Sequence, residues 1–186
     1  MENYKVTDRQ TLWEGGFLRS LRLTYRKPDG RLRHWEAIER TNCDDIVAIV
    51  PITDNNDLIL IRQFRPPVDN YVIEFPAGLS NSGESPEKAA LRELREETGY
   101  EAGELVYLGK GPLSSGSSME MLTVYAAKGL KFAGIDGRDE TEDIEIITVP
   151  ADEIYKALLR FSDNGDYIDL KIMGLVEIAR QQKMIN

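Results

Sequence analysis

The sequence predicts an α/β fold with a mixed sheet, preceded by a small antiparallel β lobe. Three observations lead there. Ile46–Thr53 is an unbroken apolar run, as expected of a strand buried on both faces. Pro86–Thr98 reads as a helix, with Pro86 suited to its first turn and Gly99 to its end. Ahead of Asp45 the pattern alternates with the two-residue period of a strand.

Taken in order, Phe17, Leu21, Leu23 and Tyr25 face one way, and Arg22, Thr24 and Arg26 the other. Pro28-Asp29-Gly30 is a turn and Leu32–Ile38 a second run. The expectation is a two- or three-strand ribbon between Val6 and Arg40, which must pack on the main body or on a second copy. Residues 1–44 are therefore read as an N-terminal lobe and 45–186 as the main domain. Asp54–Asp57 is a turn, Leu58–Phe64 a strand, and Tyr71–Phe75 a short extended piece. Strands are predicted near Leu105–Leu108, Met121–Ala126 and Ile144–Val149. Two helices close the chain, with apolar faces Ile154, Ala157, Leu158, Phe161 and Ile168, Ile172, Leu175, Ala179, separated by Asn164-Gly165. There is no internal repeat and no low-complexity segment.

Composition narrows the function. The chain has 186 residues, 41% apolar and 30% charged, enough for a core without staples. Its net charge of −9 disfavours nucleic acid and anionic membrane as partners. A phosphate-bearing small ligand stays open, because a divalent metal inverts the local field. The single Cys43 excludes an intrachain disulfide, and the single His34 excludes a two-histidine metal motif. Cys43 reads as a small packed residue and His34 as a ribbon residue. The polar MENYKVTDRQ start does not read as a signal peptide, and no apolar run approaches the ~20 residues of a membrane span. The expectation is a cytoplasmic enzyme or binding protein.

The chemistry concentrates in GLSNSGESPEKAALRELREETGY, from Gly78 to Tyr100. Glu93 and Glu97 are four residues apart, so their side chains repel on one helix face. Acids near a helix C-terminus also oppose the macrodipole. A sequence that carries both penalties points to a cation. Oxygen-only donors select a hard ion, Mg²⁺ or Mn²⁺. Arg92, four residues before Glu96, can pair with it and hold it. The competing reading is a plain solvated acidic face.

The spacing decides between them. Gly78, Glu84, Arg92-Glu93-Leu94, Glu96-Glu97 and Gly99 together resemble the Nudix box of the Nudix hydrolase family. Tyr100 departs from it where the family favours an aliphatic residue. The resemblance implies an α/β/α sandwich and a loop–helix–loop metal platform. It implies hydrolysis of a nucleoside diphosphate linked to another moiety. By the family pattern Glu93 and Glu97 bind metal, Glu96 is a further ligand or supporting acid, and Arg92 orients the carboxylates. Glu84 is structural or stands on the metal side, and the Ala77 carbonyl is an extra metal ligand. Chemically, divalent ions neutralise a negative diphosphate, draw a water toward hydroxide and steady the leaving phosphate.

Gln63-Phe64-Arg65-Pro66-Pro67 and Ile73-Glu74-Phe75-Pro76-Ala77-Gly78 are similar to the ADP-ribose and nucleoside diphosphate sugar branch. That resemblance implies a homodimer with exchanged N-terminal lobes and sites between subunits. By it Trp35 and Phe17 grip the base, Glu36 accepts from the base's amino group, and Arg40 and Arg65 reach phosphate and ribose. Ribbon packing for Trp35 and surface ion pairs for the arginines are the alternatives. The segment Glu140-Thr141-Glu142-Asp143-Ile144 is similar to the one that carries the family's catalytic glutamate, making Glu140 or another acid of the Gly134–Ile144 loop the candidate base and Glu142 a candidate metal ligand, with a plain solvated loop as the alternative. Ser115 stands where ADP-ribose hydrolases usually have proline, which leaves room for other sugars, with Glu120 as a candidate sugar contact. Competing functions are a nucleoside triphosphate or dinucleoside polyphosphate hydrolase, and a non-catalytic Nudix ligand sensor. Retention of all the box acids weighs against the sensor.

Overall fold

The computed structural model describes residues 3–41, 43, 45–135 and 143–185. The N-terminal part is a ribbon of three antiparallel strands in the order β1 (Lys5–Glu14), β2 (Leu18–Arg26), β3 (Leu32–Arg40). Every residue of β1 is exposed, because KVTDRQTLWE offers no apolar stripe to bury. On β2 and β3 the cross-strand pair Leu21 and Ala37 is buried. The ribbon is joined to the main body by backbone bonds on both sides of Ile38. Its N–H donates to Ser117 O at 2.8 Å, and its carbonyl accepts from Met119 N–H at 2.9 Å.

Two four-stranded sheets form the body. The first has the order β7 (Ala77–Leu79), β4 (Ile46–Pro51), β10 (Met121–Lys128), β9 (Glu104–Pro112). It is mixed: β4 runs parallel to β10 and antiparallel to β7. The second has the order β12 (Ile144–Pro150), β5 (Asp57–Arg65), β6 (Asn70–Glu74), β13 (Tyr167–Ile168). A small pair, β8 (Tyr100–Glu101) and β11 (Lys131–Phe132), lies beyond helix α1 (Pro86–Thr98).

All six residues of β4 are buried, and alternation sends them to two different cores. Val47 and Ile49 pack with Ala89, Ala90 and Leu94 of α1. Ile46, Ala48 and Val50 join Leu58, Leu60 and Ile73, together with Leu158 of α2 (Ile154–Asp163) and Val176 of α3 (Lys171–Gln181). Fully burying each such aliphatic contributes about 1.5–3 kcal/mol. The strand is thus clamped between helices on both sides, and α1 is fixed against it. Among the described residues no helix is long and apolar enough to cross a membrane.

One expectation fails. Ile168 does not belong to the last helix. It lies in β13, paired in parallel with Ile73 of β6. Asp169 N–H also donates to Ile73 O at 2.9 Å. The chain is captured by the sheet edge, so the helix starts at Lys171.

Candidate active site

Helix α1 is built to present its C-terminal half. Ser85 is its N-cap, accepting from Lys88 N–H, and Pro86 fills the first turn where an N–H has no partner. Gly99 ends the helix in the left-handed conformation, φ 74°, with its N–H on Arg95 O. Ala89, Ala90 and Leu94 bury one face against β4. Arg92, Glu93, Glu96 and Glu97 are left to line a cleft of about 700 Å³.

Arg92 organises this wall. Its Nε and Nη2 donate to the two oxygens of Glu84 at 3.1 and 3.0 Å. Nη2 also donates to Leu79 O at 2.8 Å, and Nη1 donates to Glu93 at 2.8 Å and Glu96 at 3.0 Å. One planar fork therefore ties the loop before the helix to two acids on it, which a lysine's point charge does not reproduce. Hydrogen bonding by Glu84, Glu93 and Glu96 raises the Arg92 pKa further above its ordinary value. Arg92 in turn holds the Glu84 carboxyl below the usual carboxylate range, helped by Asn81 N–H. Glu97 is 4% exposed and accepts from Ala77 N–H at 2.9 Å, so it pins the start of β7. Gly78 makes this packing feasible: a Cβ there would stand 2.0 Å from the Glu93 carboxylate.

The remaining candidates divide. Arg40 and Arg65 line the same cleft as the acids. Arg65 Nε donates to Glu74 at 2.6 Å, and Arg40 Nε donates to Glu120 at 2.7 Å. Glu120 faces a smaller neighbouring cavity that Arg40 also borders. Ala77 lines the main cleft. Phe17 and Trp35, 83% and 51% exposed, and Glu36 do not line the cleft of their own chain. Trp35 Nε1–H donates to Gly116 O at 2.9 Å, and Thr41 N–H donates to Phe17 O. Glu140 and Glu142 lie outside the described residues.

Three residues that sequence reading passed over also line the cleft: Glu74, Asp169 and Lys171. Glu74 stood in the quoted EFPAG stretch, but its pairing with Arg65 needs the β5–β6 register. Asp169 and Lys171 gave no signal, because their approach depends on β13 joining the sheet.

The carboxylates offer only oxygen, the donor type of a hard divalent cation. Among the described residues, however, no group of three or more acid, histidine or cysteine side chains converges tightly enough to enclose an ion. The reason is visible: Glu93 and Glu96 are turned onto Arg92, and Glu97 onto the Ala77 amide.

Comparison with known proteins agrees with this geometry. The ADP-sugar pyrophosphatase of Mus musculus is 43% identical over 103 residues, covering 51% of this chain and 47% of that protein. The chain thus matches under half the length of that relative. The methanol dehydrogenase activator of Bacillus methanolicus is 32% identical over 158 residues, covering 83% of this chain and 84% of that protein. A crystal structure of an ADP compounds hydrolase superposes with a TM-score of 0.78 at 23% identity, covering 98% of this chain and 95% of that one. The fold is shared at that distance. Residues 44–169 match the NUDIX domain, and the chain belongs to that family.

Proposed function

We propose that the protein hydrolyses the diphosphate link of ADP-ribose or a related nucleoside diphosphate sugar, releasing a nucleoside monophosphate and a sugar phosphate. The observation that carries the reading is one cleft lined by Glu93, Glu96 and Glu97 together with the cations Arg40 and Arg65. Acids to gather hard cations and guanidinium forks to grip phosphate are the two halves of diphosphate recognition.

Glu93, Glu96, Glu97 and the Ala77 carbonyl would hold Mg²⁺, or Mn²⁺ in its place. The donor chemistry fits, and the missing Cβ of Gly78 leaves Glu93 its place in the cleft. Bound there, the ion supplies charge neutralisation at the diphosphate and a more acidic water. The chain's own part is positional. Arg92 Nη1 bridges and orients Glu93 and Glu96, and Glu97 stays fixed by Ala77 N–H. Arg65, steadied by Glu74, and Arg40, steadied by Glu120, orient the phosphates. Glu140 is the assigned general base and Glu142 a further metal ligand.

Phe17, Trp35 and Glu36 are assigned to the base, in a homodimer whose exchanged lobes carry them to the partner's cleft. This is supported by the projecting ribbon and by the large exposed aromatics on it. A cytoplasmic setting suits a chain with a lone free cysteine. The test is incubation with ADP-ribose, UDP-glucose, GDP-mannose and dGTP plus Mg²⁺, counting phosphate monoesters released. Turnover of the sugars ahead of dGTP is expected. Tight binding of one compound with no turnover of any would replace this reading with a sensor.

A further inference from the structure

Asp169 and Lys171 enter the cleft from a part of the chain that nothing above uses. Lysine in the first turn of a helix opposes the macrodipole, so helix stability does not explain Lys171 there. Its ammonium, on a side chain 43% exposed, is nevertheless paired. Nζ lies 2.6 Å from Asp169 Oδ2, while Lys171 N–H donates to Asp169 Oδ1 at 3.0 Å. The Asp169 side chain is only 16% exposed, and its backbone N–H is bonded to Ile73 O of β6. The next residue, Glu74, steadies Arg65. The end of β6 thus anchors two different cations of one cleft.

The two cations differ in kind. Arg65 presents a planar guanidinium and Lys171 a compact ammonium. Lys171 and Asp169 form a close pair with no net charge. Such a pair is a good receptor for a polyol. The ammonium has three donors with one committed to Asp169, and the carboxylate oxygens keep acceptor capacity. Adjacent hydroxyls need a donor and an acceptor side by side.

We infer that the Asp169–Lys171 pair is the subsite for the hydroxyl-bearing terminal sugar of the substrate, and that it sets preference among diphosphate-linked groups. This rests on the diphosphate hydrolase reading, since the acids are assigned there to the metal and Arg40 and Arg65 to the phosphates. A cleft of about 700 Å³ has room for both parts.

The experiment compares the full-length wild type with Lys171→Met, which keeps the aliphatic stem, and with Asp169→Asn, each checked for fold by its melting curve. Two substrates are used with Mg²⁺: ADP-ribose, and the β-methyl ester of ADP, which keeps the diphosphate and lacks the sugar. Lys171→Met is expected to raise KM for ADP-ribose about tenfold with kcat little changed, and to leave KM for the methyl ester unaltered. Asp169→Asn should shift the same substrate alone. An unchanged KM for ADP-ribose in a folded, active Lys171→Met variant would overturn the assignment. So would an equal rise for both substrates, which would make the lysine a phosphate contact. Wild-type protein that cleaves neither compound would instead refute the hydrolase reading itself.

Discussion

Gly78→Ala tests the architecture of the site through a single methyl group. The φ of Gly78 is outside the left-handed region, so alanine meets no backbone strain there. The effect is purely steric. The new Cβ would sit 2.0 Å from Cδ and Oε1 of Glu93 and 2.4 Å from Oε2. Ordinary carbon contact is about 3.5 Å, so the carboxylate must retreat by roughly 1.5 Å. Glu93 is a flexible side chain and can do so, but its bond to Arg92 Nη1, now 2.8 Å, is then broken or remade. A charge-assisted bond at a partly exposed site is worth about 1–2 kcal/mol. That lowers Tm by about 2–8 °C in a chain of this size. Function suffers more, since ~1 Å of misplacement in a catalytic group costs ~10²-fold. The assay is kcat/KM for ADP-ribose over a Mg²⁺ series, alongside a thermal melt. The expected result is a folded protein with activity reduced about a hundredfold and a Mg²⁺ requirement moved upward. A folded Gly78→Ala protein with wild-type activity and an unchanged Mg²⁺ curve would refute the idea that Glu93 must stand against the β7 backbone.

Glu97→Gln keeps an oxygen for the Ala77 N–H, so it should melt near the wild type while turnover falls by orders of magnitude; near-full activity would remove Glu97 from the metal ligands. Gly99→Ala forces a side chain into φ 74° and brings Cβ to 2.8 Å from the Phe132 ring, so a loss of at least ~1 kcal/mol is expected by denaturant titration. The Glu84 carboxyl is held below its ordinary value of 4.5 by Arg92, so its stabilisation is complete above that pH and is lost as pH falls through the lowered folded value. The melting temperatures of wild type and Arg92→Ala should therefore converge in acid; a gap that stays constant down to pH ~2 would show that Arg92 acts by something other than ion pairing.

Much of the fold was legible because single elements carried their own instructions. Ile46–Pro51 is apolar at every position, which only a strand covered on both sides tolerates, and the two cores fulfil that. Helix α1 matches its predicted ends because Pro86 and Gly99 are local signals that act without tertiary help. Ile168 misled for the converse reason. Its spacing to Ile172 is helical, but its backbone is claimed by Ile73 across the sheet, a partner far away in sequence. The three-residue strand β7 was also silent, since Ala77-Gly78-Leu79 has no strand propensity and is held by register with Ala48, Val47 and Ile46.

The site divides along the same line. Acids on one helix reveal themselves by spacing, and the pairing of Arg92 with Glu96 four residues on was readable from the helix period alone. What spacing could not supply was the third arm of that arginine, since Glu84 and the Leu79 carbonyl reach it only once the loop folds back over the helix. Nor could it supply Glu74, Asp169 and Lys171, which converge through β6 and β13. The pattern has a physical cause. A charge at fixed helical distance from its partner is a one-dimensional fact, whereas a charge steadied across a sheet is a property of the register. Glu93, Glu96 and Glu97 of this cleft are therefore written in one short stretch of sequence, whereas Arg40, Arg65 and Lys171 are distributed over β3, β5 and α3. Substitutions in the box, and of Arg40 or Arg65 at the phosphates, should lower turnover on every substrate alike, while Lys171→Met should change which substrate is preferred, read as kcat/KM for ADP-ribose against the β-methyl ester of ADP.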